Sequence, residues 1–188
     1  GGVGVVLKCR DTVLNNIVAV KFLLNDVSDE EATRFQREAI TAAKLNHRNI
    51  VRVVDFGQNN DGRLFLVMEY LEGGTLGEEV DNEGPYSVAS ALPIILKVCD
   101  GLIHAHKLGI LHRDVKPSNV MLAREPNGKI VPKLVDFGLA RFQKDEQQLT
   151  TGGRVFGSPS YLSPEVATGS LVDFRTDIYS LGCLIFET

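Results

Sequence analysis

The residues His112-Arg113-Asp114-Val115-Lys116-Pro117-Ser118-Asn119 constrain this chain more than any other stretch. They bring an acid, a lysine and an amide into one short loop, and Pro117 stiffens the turn between them. An apolar, strand-like run, Val120-Met121-Leu122, follows at once. Two strand lengths further on, Asp136-Phe137-Gly138 adds a second carboxylate. These are the groups phosphoryl transfer requires: a base for a hydroxyl, a cation for phosphate charge, and oxygen ligands for Mg²⁺.

The chain has 188 residues, 44% of them hydrophobic and 23% charged, with net charge −4. That composition describes a soluble globular protein long enough for a sizeable core. The mild acidity gives no reason to expect nucleic acid or an anionic membrane as partner. No apolar run approaches the roughly 20 residues of a membrane span, and the runs at 94–96 and 181–186 read as buried helix. Cys9, Cys99 and Cys183 lie far apart with no Cys-x-x-Cys spacing, so they read as free thiols in a reducing compartment. No signal peptide or internal repeat is visible, and residue 1 is not expected to be the native start.

Gly1-Gly2-Val3-Gly4-Val5-Val6 opens the chain. Closely spaced glycines let backbone N–H groups approach phosphate oxygens. A Walker A loop is absent, and the run to Cys9 continues as a β-branched strand rather than opening a helix. Ile17-Val18-Ala19-Val20-Lys21-Phe22 is a buried-strand pattern interrupted by a lysine. Ser28 with Glu31 forms a capping-box pattern, and Ala32, Phe35, Ala39, Ala42 and Ala43 mark a helical apolar face that also carries Glu38. Residues 51–56 and 64–70 read as strands around Asn59-Asn60-Asp61-Gly62. Residues 87–108 form a long helical stretch, with Leu92, Ile95, Leu96, Cys99, Leu102, Ile103 and His106 on one stripe. Pro93 implies a helix start nearer Ser90 or a kink. Residues 143–154 are polar and loop-like, and residues 173–188 begin a buried helix.

In this order the motifs resemble a protein kinase. The catalytic-loop pattern is present with Val115 in place of Leu, and Ser163-Pro164-Glu165 resembles the A-P-E triplet. The runs Gly-Gly-x-Gly-Val-Val, Phe-Gln-Arg-Glu-Ala and Tyr-Leu-Ser-Pro-Glu look most like the bacterial eukaryotic-like Ser/Thr kinases. The resemblance covers the whole chain. It implies an α+β, bilobal kinase-like fold truncated at both ends. A small antiparallel sheet lobe with one helix would span residues 1–70, and a mainly helical, incomplete lobe residues 71–188.

The resemblance assigns roles residue by residue. Asp114 would accept the substrate hydroxyl proton, Lys116 would meet the γ-phosphate, and Asn119 and Asp136 would hold Mg²⁺. ATP would lie between the lobes, touched by Gly1, Gly4, Val6, Ala19, Met68, Glu69, Leu71 and Met121. Lys21, paired with Glu38, would hold its α- and β-phosphates. The Asp-x-Lys-x-x-Asn form resembles Ser/Thr kinases, with Ser158 replacing the family threonine. Thr150 or Thr151, once phosphorylated, would be held by Arg34, Arg113 and Arg141 and so activate the loop. Further helices beyond Thr188 would supply an arginine for Glu165 and would bury Leu181, Leu184, Ile185 and Phe186. The expected partners are protein substrates and ATP, without nucleic acid, and dimerisation is possible. The expected location is cytoplasmic, with any membrane anchor outside this stretch. Two readings from other classes stay open: a pseudokinase-type ATP-binding or docking module, and a fragment with no activity of its own.

Overall fold

The computed structural model describes residues 4–23, 29–137 and 159–188, apart from the side chains of Leu23, Asp29, Glu31, Arg34 and Pro159. Gly1, Ser28, Arg141, Thr150, Thr151, Ser158 and the side chain of Arg34 therefore lie outside the described residues. The chain divides into two compact units. One holds Gly1–His47 and Val51–Leu71, the other Arg48–Ile50 and Glu72–Thr188.

The first unit is built on an antiparallel sheet of four strands in the order β1-β2-β4-β3. Strands β1 (Gly4–Arg10), β2 (Ile17–Leu23), β3 (Val53–Gln58) and β4 (Leu64–Glu69) are rich in β-branched and aromatic residues, which suit a pleated, half-buried surface. The β1–β2 turn closes on Asp11, whose Oδ1 accepts the N–H groups of Val13 (2.8 Å) and Leu14 (3.0 Å). In the β3–β4 turn, Asn59 Oδ1 does the same for Asp61 (3.0 Å) and Arg63 (2.8 Å). Helix α1 (Asp29–Ala42) packs against β3. Its buried residues are Phe35, Ala39 and Ala42, whereas Ala43 is exposed. Burying a side chain the size of Phe35 contributes about 1.5–3 kcal/mol.

The second unit contains α2 (Leu76–Glu83), α3 (Val88–Lys107), the hairpin β5 (Val120–Arg124) and β6 (Ile130–Leu134), α4 (Pro164–Ala167) and α5 (Arg175–Glu187). Thr75 and Glu78 form a capping box at the start of α2, with Thr75 N–H donating to the Glu78 carboxylate (2.8 Å) and Glu78 N–H to the Thr75 hydroxyl (3.1 Å). Ser87 caps α3 by accepting from Ser90 N–H, so the helix starts at Val88 and not near Ser90. Pro93 sits one and a half turns inside it.

The expected apolar stripe on α3 is centred on the wrong face. Ile95, Val98, Gly101, Leu102 and Ala105 are buried, while Leu92, Leu96 and Ile103 are exposed. The helix is apolar around most of its circumference, so periodicity alone does not select the inner face. Small residues select it. A Cβ at Gly101 would sit 3.0 Å from Asn49 O and 3.1 Å from Leu134 Cδ1, so glycine lets residues 49–50 lie directly against the helix. Asn49 completes that contact. Its Nδ2 donates to Pro132 O (2.8 Å), and its carbonyl accepts Leu134 N–H (2.9 Å).

Helix α3 also corrects the expectation about membrane spans. By length and composition it is apolar enough to cross a bilayer. Its inner face nevertheless belongs to the core of this unit, and a core helix passes the same test of length and composition as a spanning one. In α5, Leu184 is fully buried within this chain, contrary to its expected need for further helices, whereas Ile185 and Phe186 are exposed.

Candidate active site

The loop 112–119 is held from below by one carboxylate. Asp177, in the first turn of α5, is fully buried. Its Oδ2 accepts His112 N–H (2.9 Å) and its Oδ1 accepts Arg113 N–H (2.7 Å). His106 Nε2 lies 2.7 Å from the same Oδ2. A buried charge persists only where it is paired and hydrogen-bonded, and three donors meet that need. Arg113 has φ 67°, left-handed for a residue with a side chain, and the bond from its N–H to Asp177 holds it there.

His112 is itself buried and works through its ring. Its Nε2 is 2.9 Å from Val135 O, and its Nδ1 is 3.3 Å from Asp114 N–H. A carbonyl only accepts, so Nε2 carries the hydrogen and Nδ1 is the acceptor, which is the neutral tautomer. Burial pushes the imidazole below its usual range, against opposing pulls from Asp177, Asp114 and Asp136. The ring also packs on Phe137, with centroids 4.5 Å apart. The loop and the Asp136-Phe137 turn are thereby joined through one side chain.

Two other sequence-selected residues meet on Asp114. Its Oδ2 accepts from Lys116 Nζ (2.7 Å) and from Asn119 Nδ2 (2.8 Å), and its backbone carbonyl accepts from the same amide nitrogen (2.8 Å). Asp114 and Lys116 are partly exposed, and Asn119 is buried within a 3-10 turn, Pro117–Asn119. Val135 N–H donates to Asn119 O (3.0 Å), which sets Asp136 close along the chain to Asn119. Asp136 has φ 64°, a second left-handed position with a side chain. Both Asn119 amide hydrogens are committed to Asp114, so its Oδ1 is the atom available to a cation. Two hard oxygen donors of this kind, one neutral and one anionic, fit Mg²⁺, which keeps several waters and takes few protein ligands.

In the first unit the sheet register collects the other selected residues. Val6 pairs with Lys21, Ala19 with Met68, and Lys21 with Leu66. Cross-strand partners share a face, so Val6, Ala19, Lys21 and Met68 lie on one side of the sheet. Glu38 is half-buried on α1, on the side of the helix that buries Phe35 and Ala39. Glu69 is turned toward β3, with its N–H donating to Arg52 O (3.0 Å) and its Oε1 accepting Arg52 N–H (2.8 Å). Leu71 ends this unit, and Tyr70 beside it carries Lys8 Nζ 4.3 Å above its ring. Gly4 begins β1, and Met121 lies in β5 opposite Lys133.

The whole chain, residues 1–188, matches the family described as protein kinase domain. This chain belongs to the protein kinase family. The kinase domain is 40% identical over 192 residues to the serine/threonine-protein kinase pkn3 of Myxococcus xanthus, with 100% of this chain and 35% of the relative covered. It is 42% identical over 192 residues to the serine/threonine-protein kinase PknB of Mycobacterium leprae, with 100% and 30% covered. A probable serine/threonine-protein kinase of Clostridium perfringens is 41% identical over 189 residues, with 100% and 27% covered. The chain thus spans about a third of the length of the curated relatives it matches.

Two site residues escaped the sequence reading. Asp177 was seen only as part of a buried helix, although a charged residue among apolar neighbours signals a paired, positioned group. Thr176 donates its hydroxyl to Glu165 (2.7 Å) and holds that carboxyl below its usual range, with lesser help from backbone and Ser163 bonds. Glu165 therefore has a partner on α5, which the expected distant arginine had obscured.

Proposed function

We propose that the protein containing this domain transfers the γ-phosphate of ATP to serine or threonine hydroxyls of protein substrates. The single observation that supports this best is the convergence of Lys116 and Asn119 on one oxygen of Asp114. With Oδ2 engaged by two donors, Oδ1 is the oxygen that would accept the substrate hydroxyl's proton and orient that hydroxyl for attack. Lys116 would offer its charge to the transferred phosphoryl group, and Asn119 and Asp136 would hold Mg²⁺. The bound ion would neutralise phosphate charge.

Val6, Ala19, Met68, Glu69, Leu71 and Met121 are assigned to the nucleotide's base, Gly1 and Gly4 to its phosphates. Lys21 with Glu38 is assigned to the α- and β-phosphates. Phosphorylation of Thr150 or Thr151, held by Arg34, Arg113 and Arg141, is proposed to raise activity, and the protein is proposed to act in the cytoplasm. The kinase reading is favoured over a docking module because each of Lys21, Asp114, Asn119 and Asp136 is present. The test is phosphoamino-acid analysis of a generic acceptor protein incubated with the full-length protein and Mg-ATP. Phosphoserine or phosphothreonine is expected. Phosphotyrosine as the main product, or no transfer alongside intact ATP binding, would overturn the proposal.

A further inference from the structure

We infer that Lys8 and Tyr70 form a positioning pair for the nucleotide, tying β1 to the segment that ends the first unit; this rests on the kinase reading. The Lys8 ammonium stands 4.3 Å above the centre of the Tyr70 ring. Attraction of this kind needs a formal positive charge and an aromatic face. The two residues come from separate strands' ends of the sheet. Lys8 pairs with Ala19 of β2, and Ala19 pairs in turn with Met68 of β4, so the three form one row across the sheet. Tyr70 comes two residues after Met68, just past β4. Ala19 carries only a methyl group, which leaves the lysine stem a path over β2 to the ring.

The pair joins the two backbone stretches of this unit that the kinase reading assigns to the nucleotide. On β1, Val6 lies two residues before Lys8 on the same face, and Gly4 begins the strand. On either side of the ring stand Glu69 and Leu71. One end of the tie is already fixed, because Glu69 N–H donates to Arg52 O (3.0 Å) and Glu69 Oε1 accepts Arg52 N–H (2.8 Å). The looser end is β1. Val5, Val6 and Leu7 are 45%, 56% and 46% exposed, so little packing holds them and one added contact counts. The tie from Lys8 to Tyr70 therefore sets the spacing of Gly4 and Val6 from Glu69 and Leu71 before the nucleotide arrives.

Loss of the tie lowers the fraction of the protein that is ready to bind, and the dissociation constant rises by the same factor. The test is isothermal titration calorimetry of the full-length protein with Mg²⁺ and a non-hydrolysable ATP analogue. Lys8→Met and Tyr70→Leu are each expected to raise Kd about two- to fivefold, and the double variant no further. Lys8→Arg keeps the charge and Tyr70→Phe keeps the ring, so both are expected to bind as the native protein does. In steady-state assays KM for ATP is expected to rise in Lys8→Met while kcat holds, since the pair does not touch the reacting atoms. Lys44→Met, which removes the charge of another exposed lysine in the same unit, is expected to leave Kd unchanged. An unmoved Kd in Lys8→Met, single losses that multiply in the double variant, an equal loss in Lys8→Arg, or an equal loss in Lys44→Met would overturn the pair. Should Lys8→Met not fold, Tyr70→Leu against Tyr70→Phe decides, and equal Kd values overturn the inference. A native protein that binds the analogue with this pattern but transfers no phosphate from ATP would overturn the kinase reading and keep the pair; one that binds no nucleotide would overturn both.

Discussion

Replacing Gly73 by alanine tests how tightly the segment after Leu71 is bound to the β5 strand. Gly73 has φ +135°, and a Cβ there would lie 2.2 Å from Leu122 O and 3.2 Å from Leu122 C. The obstacle is backbone, so no side-chain rotation relieves it. Two hydrogen bonds flank the contact, Leu122 N–H to Gly74 O (2.9 Å) and Arg124 N–H to Glu72 O (2.7 Å). The unfavourable φ costs about 1–3 kcal/mol. Loosening each hydrogen bond adds about 0.5–1.5 kcal/mol. The expected destabilisation is therefore about 2–6 kcal/mol, a large share of a domain stability of about 5–15 kcal/mol. Gly128→Ala is the control. Its φ is +81°, and no described atom lies within 4 Å of a Cβ built there, so only the conformational cost of about 1–2 kcal/mol applies. Urea denaturation of the full-length protein and both variants, followed by far-UV circular dichroism, measures the difference. Equal midpoints for the two variants would refute the close-approach argument.

Three further outcomes follow from the site. Because burial holds His112 neutral in the folded state, protonation in the unfolded state alone should reduce stability as the pH falls below about 6.5; a denaturation midpoint flat from pH 7.5 to 5.5, corrected with His112→Phe, would contradict this. Tyr86 is pushed up to about 12 by burial, by its hydrogen bond to Glu79 and by the charges of Glu79 and Glu83, so its contribution is present below pH 10 and lost as the pH rises toward 12. Ultraviolet titration should accordingly show one late phenol that disappears in Tyr86→Phe. Asn119→Ala removes both bonds to Asp114 and the oxygen proposed to hold Mg²⁺, and should lower the transfer rate by about 10²–10³-fold in a single-turnover assay.

The parts that were legible in the sequence are those whose chemistry is local. Asp114, Lys116 and Asn119 sit within a few residues of one another, so their meeting on one oxygen follows from loop geometry. The strands of the sheet were also legible, since β-branched runs bounded by Asp11-to-Asn16 and Asn59-to-Gly62 turns have few alternatives. Asp177 was not, because its bond to His112 spans 65 residues and nothing near it in sequence names its partners. The face of α3 was hidden for a different reason. Apolar residues surround that helix, and the choice of inner face depends on where Gly101 admits residues 49–50. The assignment of Arg48–Ile50 to the second unit, amid residues of the first, likewise depends on bonds from Asn49 to β6 and on the Arg48–Glu125 ion pair at 2.6 Å.

The central claim is that Asp114, fixed by Lys116 and Asn119, carries phosphoryl transfer to a hydroxyl. A rapid-quench single-turnover measurement with radiolabelled Mg-ATP, comparing the full-length protein with Asp114→Asn, tests it most directly. The substitution keeps the size of the side chain and its hydrogen-bonding oxygen but removes the base. The account predicts a fall of about 10²–10⁴-fold in the transfer step with ATP affinity unchanged. A transfer rate within about threefold of the native protein would contradict it.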